Sequence, residues 1–238
     1  MNTKKNNFDP LELAKFEALA SRWWDPEGEF GALHNINPLR LEWIKGHTNL
    51  SKMRIVDIGC GGGILTEPMS LLGADVVGID LADASLEIAR LHQHESNTKI
   101  DYKKISAEEF ANKEPNSFDI VTCLEMLEHV PDPSSIIESC ATLVKPGGYV
   151  FFSTINRNLK SFLFAILGAE YILKLLPAGT HQFEKFIKPS ELDSWSRKFN
   201  LSLIDSIGMQ YNPITKQYSL GDNLEVNYLM VFQREKSN

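Results

Sequence analysis

The chain has 238 residues, of which 43% are hydrophobic and 23% charged, enough for one globular domain with a small appendage. Its 24 basic and 31 acidic residues give a net charge of −7, which argues against a broad nucleic-acid-binding face, because phosphate neutralisation needs concentrated Lys and Arg. Three cysteines without a Cys-x-x-Cys spacing argue against a disulfide framework and indicate a reducing compartment. The polar N-terminus lacks the apolar run of a signal peptide, so we expect a cytoplasmic protein.

Two helices are predicted ahead of the main domain. Asp9-Pro10 has the pattern of an N-cap followed by a first-turn proline and opens an amphipathic helix that ends before Trp23-Trp24. Asn37-Pro38 repeats the pattern and predicts the start of a second helix. We therefore interpret residues 1–50 as an N-terminal helical extension.

The main domain is predicted to span residues 51–238 and to alternate strands with helices. The predicted strands are 54–58, 75–80, 100–105, 118–123, 149–154, 201–211 and 225–232, and the predicted helices lie near 64–72, 83–95, 133–144 and 189–199. Alternation at this spacing implies right-handed β-α-β units. We therefore predict an α/β fold with a doubly wound, mostly parallel, seven-stranded sheet.

A glycine-rich loop follows the first predicted strand. Asp57, Gly59, Gly61 and Gly63 form the pattern Asp-x-Gly-x-Gly-x-Gly, and Asp80 ends the next strand. Glycines let the backbone turn sharply and approach a ligand closely. A carboxylate at the end of the neighbouring strand can accept both hydroxyls of a ribose. Together these features favour a nucleoside-containing cofactor over a tight turn with an unrelated acid.

Two cofactor classes compete for this loop. A dinucleotide fingerprint requires Gly-x-Gly-x-x-Gly, and Ile64 stands at the third glycine position, which disfavours an NAD(P)-dependent oxidoreductase. The pattern instead resembles motif I of class I methyltransferases, which have a Rossmann-like fold and use S-adenosylmethionine (SAM). The resemblance extends over about residues 53–154. It implies a cofactor-binding set made of Asp57, of Gly59 and Gly61 under the methionine part, of Asp80 at the ribose, and of Leu81 with the 105–108 turn at the adenine.

A polar turn follows the fourth predicted strand, at the edge of the sheet where ligands bind. Leu124 is expected to lie against the cofactor. If residues 125–129 form a helical turn, Glu125, Glu128 and His129 share one face. Such a group could bind Mg²⁺. Alternatively, Glu128 and His129 could be catalytic and remove a hydroxyl proton, or all three could only orient the following loop.

The most hydrophobic stretch is 161–176, within a predicted insertion at 158–188. A membrane-spanning helix needs about 20 apolar residues. This run is shorter and contains Glu170 and Lys174, so we reject that interpretation. Five basic residues against two acidic ones across 157–188 favour contact with an anionic membrane surface. A lid over the active site or a dimer contact explains the pattern equally well.

Several segments outside the glycine loop point, in order along the chain, to one family. They are 15–25, 27–30, 33–40, 125–133, 151–158, 179–181 and 211–213. Together they resemble the ubiquinone-biosynthesis O-methyltransferase family over about residues 11–230. The resemblance implies that Arg40 binds the SAM carboxylate and that 161–183 faces the membrane.

The resemblance also implies an activity and partners. The expected reaction is methyl transfer to a phenolic hydroxyl of a polyprenyl phenol or quinol, namely 2-polyprenyl-6-hydroxyphenol and 3-demethylubiquinol. The expected location is cytoplasmic and peripheral at the inner face of the membrane, with other ubiquinone-biosynthesis enzymes as candidate partners. The alternatives are a methyltransferase for soluble phenols or fatty acids, and a non-catalytic SAM-binding scaffold of a biosynthetic complex.

Overall fold

A single eight-stranded sheet organises the chain, for which a computed structural model describes residues 7–158, 161 and 183–236. The strands are β1 Arg54–Ile58, β2 Asp75–Asp80, β3 Ile100–Lys104, β4 Phe118–Leu124, β5 Val144–Ile155, β6 Leu201–Asn212, β7 Gln217–Gly221 and β8 Asn227–Arg234. Their order across the sheet is β3-β2-β1-β4-β5-β8-β6-β7. The first five pair in parallel, whereas β8, β6 and β7 join through antiparallel ladders.

Seven α-helices have bounds within the described part of the chain. They are α1 Pro10–Leu19, α2 Gly31–His47, α3 Thr66–Leu71, α4 Asp83–Glu95, α5 Ala107–Lys113, α6 Pro133–Leu143 and α7 Pro189–Arg197. Buried side chains of α5, α6 and α7 pack with one set of strand residues, and those of α2, α3 and α4 pack with the alternate set. Because successive strand residues point to opposite faces, the sheet is covered on both sides. The predicted doubly wound α/β fold is thereby confirmed.

The predicted strand count of seven was wrong. The additional strand is β7, which pairs with β6 from Gly208↔Gly221 to Asn212↔Gln217. Its sequence, Gln-Tyr-Ser-Leu-Gly, has no apolar run, because an edge strand has a neighbour on one side only and need not be hydrophobic. The turn at 213–216 brings this segment back against β6 as a hairpin.

The start of the first helix is confirmed, whereas that of the second was predicted wrongly. Asp9 accepts a hydrogen bond from the Leu11 amide at 3.0 Å and caps α1. The second helix begins at Gly31 and contains Pro38 in its interior. The Asn37 side chain does not act as a cap there, because it donates to the Ile64 carbonyl at 2.7 Å. This long-range contact competes with the local capping pattern that the sequence suggested.

The region at 105–108 is the start of a helix rather than an isolated turn. Ser106 caps α5, because its hydroxyl accepts from the Glu109 amide at 3.2 Å. The helix is short, at seven residues, which explains why periodicity did not predict it.

The predicted insertion falls mostly outside the described residues. Residues 159–160 and 162–182 of the 158–188 segment are not described, so the predicted apolar run 161–176 and membrane-facing part 161–183 lie outside them, apart from Ser161 and Phe183. Within the described ranges, no helix is long and apolar enough to cross a membrane.

Candidate active site

The candidate active site lies where the order of the strands reverses. The chain passes from β1 to β2 and β3 on one side, and β4 and β5 then lie on the other side of β1. Loops that follow β1 and β4 therefore leave the same carboxyl edge on either side of a crevice, where ligands bind in open α/β sheets. The glycine loop and the Glu125–His129 turn are these two loops.

The glycine loop needs its glycines for backbone conformation and for space. Gly59, Gly61 and Gly63 have φ angles of 73°, 52° and 92°, a region that L-residues with a side chain rarely occupy. A Cβ atom on Gly63 would lie 2.4 Å from the Tyr102 hydroxyl. The loop therefore runs close to its neighbours, and any residue with a side chain would be strained here.

Asp80 is tied to the glycine loop from the end of β2. Its Oδ2 accepts from the Gly61 amide at 2.9 Å and its Oδ1 accepts from the Ala82 amide at 2.8 Å. Burial raises the pKa of this carboxyl, and the backbone donors partly oppose that rise. Leu81 follows directly and is half-buried, next to the crevice.

Asp57 lies beneath the loop, at the end of β1. Its Oδ1 accepts from the Thr122 hydroxyl at 2.7 Å, and the residue is 4% exposed. Burial raises its pKa to about 7, because an ionised carboxylate loses its hydration there. The hydroxyl of Thr122 opposes this rise, and the nearby charge of Asp80 adds to it.

Arg40 reaches the crevice from α2. It is 5% exposed, its Nη2 donates to the Glu125 carboxylate, and the same nitrogen lies 3.5 Å from the Ser153 hydroxyl. Its Nε is buried without a hydrogen-bond partner. A buried guanidinium with an unsatisfied N–H is costly, so this donor lacks the acceptor that buried groups usually have.

Glu125 lies directly after β4 and is held by several donors. Asn227 on β8 donates to both carboxylate oxygens, at 3.0 and 3.1 Å, and Ser153 donates at 2.7 Å. The Arg40 charge is the main influence that lowers its pKa, against the opposing effect of burial. Its φ of 52° is unusual for a residue with a side chain, and these contacts compensate for the strain.

Glu128 is the most deeply buried acid of this turn, at 3% exposure. Its Oε2 accepts from the Thr154 hydroxyl at 2.8 Å, whereas its Oε1 is buried without a hydrogen-bond partner. Burial raises its pKa to about 7, and the neighbouring Glu125 charge adds to the rise. This carboxyl can therefore hold or release a proton near neutral pH.

His129 contacts the N-terminal helix. Its Nδ1 lies 3.0 Å from Glu12 Oε2, and the ring of Phe16 packs edge-on against the imidazole with centroids 5.3 Å apart. Burial lowers the pKa of His129, but the carboxylates of Glu12 and Glu128 outweigh it, so that the pKa lies above its ordinary value. The same hydrogen bond lowers the pKa of Glu12 to about 2.

The predicted metal site does not fit this geometry. The 3₁₀ turn covers only Leu127–His129 and Glu125 lies outside it, so the three side chains do not share the face of one helical turn. Glu125 binds Arg40, Glu128 binds Thr154 and His129 binds Glu12. Within the described ranges, no group of three or more His, Cys, Asp or Glu is placed to hold a metal ion.

Trp23 is a contact that the sequence analysis missed. The indole lies on the backbone of the glycine loop: a Cβ on Gly61 or Gly62 would come within 2.1 or 2.2 Å of its ring atoms. The adjacent Trp24 donates to the Gly62 carbonyl at 2.9 Å. The N-terminal extension therefore covers the loop, an arrangement for which the local sequence carries no signal beyond two adjacent tryptophans. Glu12 and Asn227 were missed for the same reason, since each acts across more than 100 positions of sequence.

Leu124 is the last residue of β4, half-buried at the same edge as the glycine loop. The structure thus brings to one crevice all of the residues predicted to bind the cofactor: Arg40, Asp57, Gly59, Gly61, Asp80, Leu81 and Leu124. Their roles toward a ligand remain predictions.

This fold and site define the class of SAM-dependent methyltransferases. The model of the "Methyltransferase domain" family matches residues 21–206. Among solved structures, a magnesium protoporphyrin IX methyltransferase from Synechocystis with bound SAH has a TM-score of 0.69, with 18% identity over 93% of this chain and 95% of the other. A possible histamine N-methyltransferase from Thermotoga maritima has a TM-score of 0.67, with 19% identity over 94% and 100%. At these identities the likeness concerns the fold.

Curated relatives found by sequence are much more similar to this chain than these solved structures are. A ubiquinone biosynthesis O-methyltransferase of Stutzerimonas stutzeri is 60% identical over 97% of this chain and 99% of its own length. One from Pseudomonas fluorescens is 58% identical over 97% and 100%. The chain belongs to the ubiquinone biosynthesis O-methyltransferase family.

Proposed function

We propose that this protein transfers a methyl group from SAM to a phenolic hydroxyl of polyprenylated ubiquinone precursors, 2-polyprenyl-6-hydroxyphenol and 3-demethylubiquinol. The observation that carries the proposal is one crevice in which the loop and Asp80 face the Glu128–His129 turn. Relatives named for this pathway match 97% of the chain, which supports the choice of substrate.

The cofactor cradle is assigned from its donors and acceptors. We propose that Arg40 binds the SAM carboxylate, because its Nε is a buried donor without a partner and a guanidinium fork matches a carboxylate. Asp80, held at the end of β2 by the Gly61 amide, accepts the ribose hydroxyls. Gly59 and Gly61 bind the methionine part through the loop backbone on the side that Trp23 does not cover, with Asp57 beneath them and Leu81 and Leu124 along the walls.

The chain's task in the reaction is alignment and proton removal. SAM, when bound, supplies a methyl group on a positively charged sulfur. The phenolic oxygen forms the new C–O bond as the C–S bond breaks, and its proton must pass to a base. We propose the Glu128–His129 pair for that proton, because Glu128 Oε1 is a buried acceptor without a partner and His129 lies beside it in sequence and in the crevice.

Methyl transfer from labelled SAM to short-tailed analogues of both acceptors tests this proposal, with SAM binding measured separately by calorimetry. We expect methylated product from both acceptors. Binding of SAM without product would rule out these acceptors, and near-normal kcat in both Glu128→Ala and His129→Ala would remove the proton role of this pair.

The role of Mg²⁺ is a separate arm of that assay. If chelation abolishes turnover and Mg²⁺ restores it, the reaction requires the ion, and loss of that requirement in Glu125→Gln would place it at this turn, where Glu125 now pairs with Arg40. If chelation has no effect, the reaction needs no divalent ion.

For the 161–183 segment we propose contact with an anionic membrane surface, peripheral and from the cytoplasmic side. The support is its composition, since a basic, apolar stretch in a chain of net charge −7 suits anionic lipid. As a second contact, we propose binding to other enzymes of ubiquinone biosynthesis. Sedimentation with anionic and with neutral liposomes tests the first, and equal pelleting after deletion of the segment would refute it.

A further inference from the structure

Glu12 is the only carboxylate of the N-terminal helix α1 that reaches the catalytic turn in the described part of the chain. It is 6% exposed and lies 3.0 Å from Nδ1 of His129, across 117 positions of sequence. The other acid inside this helix, Glu17, is exposed. A buried carboxylate against an imidazole nitrogen is costly to desolvate, so such a pair needs close geometry to persist.

The helix that carries Glu12 is fixed on both sides of it. Before it, Asn7 and Asp132 exchange two hydrogen bonds, from the Asn7 amide to the Asp132 carbonyl at 2.9 Å and from the Asp132 amide to the Asn7 side chain at 2.8 Å. After it, Phe16 packs on the His129 ring and Trp23 lies on the glycine loop. The carboxylate therefore has a defined position relative to the imidazole.

A carboxylate at Nδ1 has a specific chemical consequence. Because it accepts a hydrogen bond, it selects the tautomer with the proton on Nδ1, and the basic lone pair is then on Nε2. It also fixes the plane of the ring, so that this lone pair has one direction. When Nε2 takes up a proton, the carboxylate stabilises the resulting imidazolium.

We propose that Glu12 is a positioning residue that orients His129 for removal of the proton from the phenolic hydroxyl. This inference rests on the proposed role of His129 as proton acceptor. It makes the N-terminal extension a part of the reaction machinery, because the residue that orients the base belongs to α1 and not to the sheet domain.

The test compares Glu12→Ala with two controls on the same segment. Glu17→Gln changes an exposed acid of α1, and Asn7→Ala removes a fastening contact without touching His129. We expect kcat at saturating SAM and acceptor to fall about 10-fold or more in Glu12→Ala, a part of the about 10²–10⁴-fold that general base catalysis contributes. SAM affinity should stay unchanged, and Glu12→Gln, which keeps an acceptor, should lose less.

Two further measurements distinguish orientation of the His129 ring by Glu12 from mere attachment of α1 to the rest of the protein. Addition of Glu12→Ala to a His129→Ala background should cause no further loss of kcat, because both changes act through one unit. At a pH above the raised pKa of His129, where the ring is neutral, its ¹⁵N spectrum should show the Nδ1–H tautomer in the parent protein and lose it in Glu12→Ala. If Asn7→Ala lowers kcat as much as Glu12→Ala does, fastening alone explains the contact and the proposal is overturned.

The outcome for His129→Ala keeps the two proposals apart. If His129→Ala loses activity while Glu12→Ala keeps kcat within about twofold, His129 retains its proposed role and Glu12 does not position it. If His129→Ala itself keeps full activity, the proton role fails and the inference about Glu12 fails with it.

Discussion

Single residues at the crevice carry unsatisfied or perturbed polar groups, and these groups indicate where ligands act. Arg40 Nε and Glu128 Oε1 are both buried without a hydrogen-bond partner, and Glu125, which Arg40 contacts, belongs to the same turn as Glu128. Most buried polar groups in folded proteins are hydrogen-bonded, so two unpaired groups this close together need an explanation. In the proposed function two ligands supply these partners, the SAM carboxylate at Arg40 and the phenolic hydroxyl of the acceptor at Glu128.

The first prediction concerns Arg40. Arg40→Lys loses the planar fork, so we expect the KM for SAM to rise about 10-fold or more while kcat at saturating SAM changes little, since a charge-assisted bond contributes roughly 1.5–3 kcal/mol. Initial-rate kinetics over a range of SAM concentrations measures both constants. Arg54→Lys is the control, because Arg54 pairs with Glu114 at the opposite end of β1. An unchanged KM for SAM in Arg40→Lys would contradict the assignment.

The second prediction concerns the raised pKa of Asp57. The folded chain retains a proton on this carboxyl up to a pKa of about 7, whereas the unfolded chain loses it near 3.8. Between these values the folded state binds more protons, so the free energy of unfolding falls as pH rises. Asp57→Asn removes this contribution and should show a smaller fall in Tm between about pH 5 and about pH 8.

Thermal melts of the ligand-free protein at several pH values measure this slope. Asp222→Asn, at an exposed position, is the matched control and should retain the parent slope. Equal slopes in Asp57→Asn and in the parent protein would show that the Asp57 carboxyl is ionised in the fold throughout that range.

At the scale of elements, the N-terminal extension packs over the glycine loop through Trp23. The extension also places Arg40 in the crevice and Glu12 at His129. Helices α1 and α2 are therefore part of the site, and their packing depends on the absence of side chains at Gly61 and Gly62.

The third prediction tests that packing. Gly62→Ala puts a Cβ 2.2 Å from the Trp23 ring, so we expect overpacking to cost about 1–3 kcal/mol and Trp23 to become more exposed. Chemical denaturation and tryptophan fluorescence measure the two effects. Gly46→Ala in α2 is the control: nothing lies within 4 Å of its Cβ, and it should stabilise the helix by about 0.5–1 kcal/mol.

A Trp23→Ala background provides the decisive comparison for the third prediction. Once the ring is absent, Gly62→Ala should cost little further stability, because the clash is removed. An equal cost in both backgrounds would place the effect in the loop itself and not in its contact with the extension.

At the scale of the whole molecule, the site draws on residues from nearly the entire chain. Glu12, Arg40, Asp80, His129 and Asn227 come from five separate elements or loops. A ligand that bridges them should therefore stabilise the complete fold rather than one part of it.

The fourth prediction follows from this distribution. SAM at about 100 times its Kd should add about 2.7 kcal/mol to the free energy of unfolding, which for a chain of this size raises Tm by about 5–10 °C. Differential scanning calorimetry measures the shift. Asp80→Ala should abolish most of it, whereas Asp222→Asn should keep it. A full shift in Asp80→Ala would remove Asp80 from the cofactor site.

The sequence by itself determined the fold class, the bounds of most strands and the loops at the carboxyl edge. These follow from local signals: apolar runs, Asp9-Pro10 at a helix start and glycines where φ must be positive. Segment matches along the chain also identified the family. Most of the residues predicted to bind the cofactor lie in or directly after β1, β2 and β4, so their common place at the carboxyl edge followed from local motifs; Arg40, on α2, is the exception.

Only the tertiary structure decided how the polar residues are paired. The Asn37 contact that replaces a cap in α2 and the partners of Glu125 depend on contacts between distant segments, which no local pattern encodes. Strand β7 is a local hairpin with β6, but its polar sequence carries no strand signal. The two acids and the histidine that looked like metal ligands in sequence, Glu125, Glu128 and His129, are engaged by Arg40, Thr154 and Glu12 respectively. Hydrogen bonds and ion pairs act at about 3 Å, and the fold alone brings such partners within that distance.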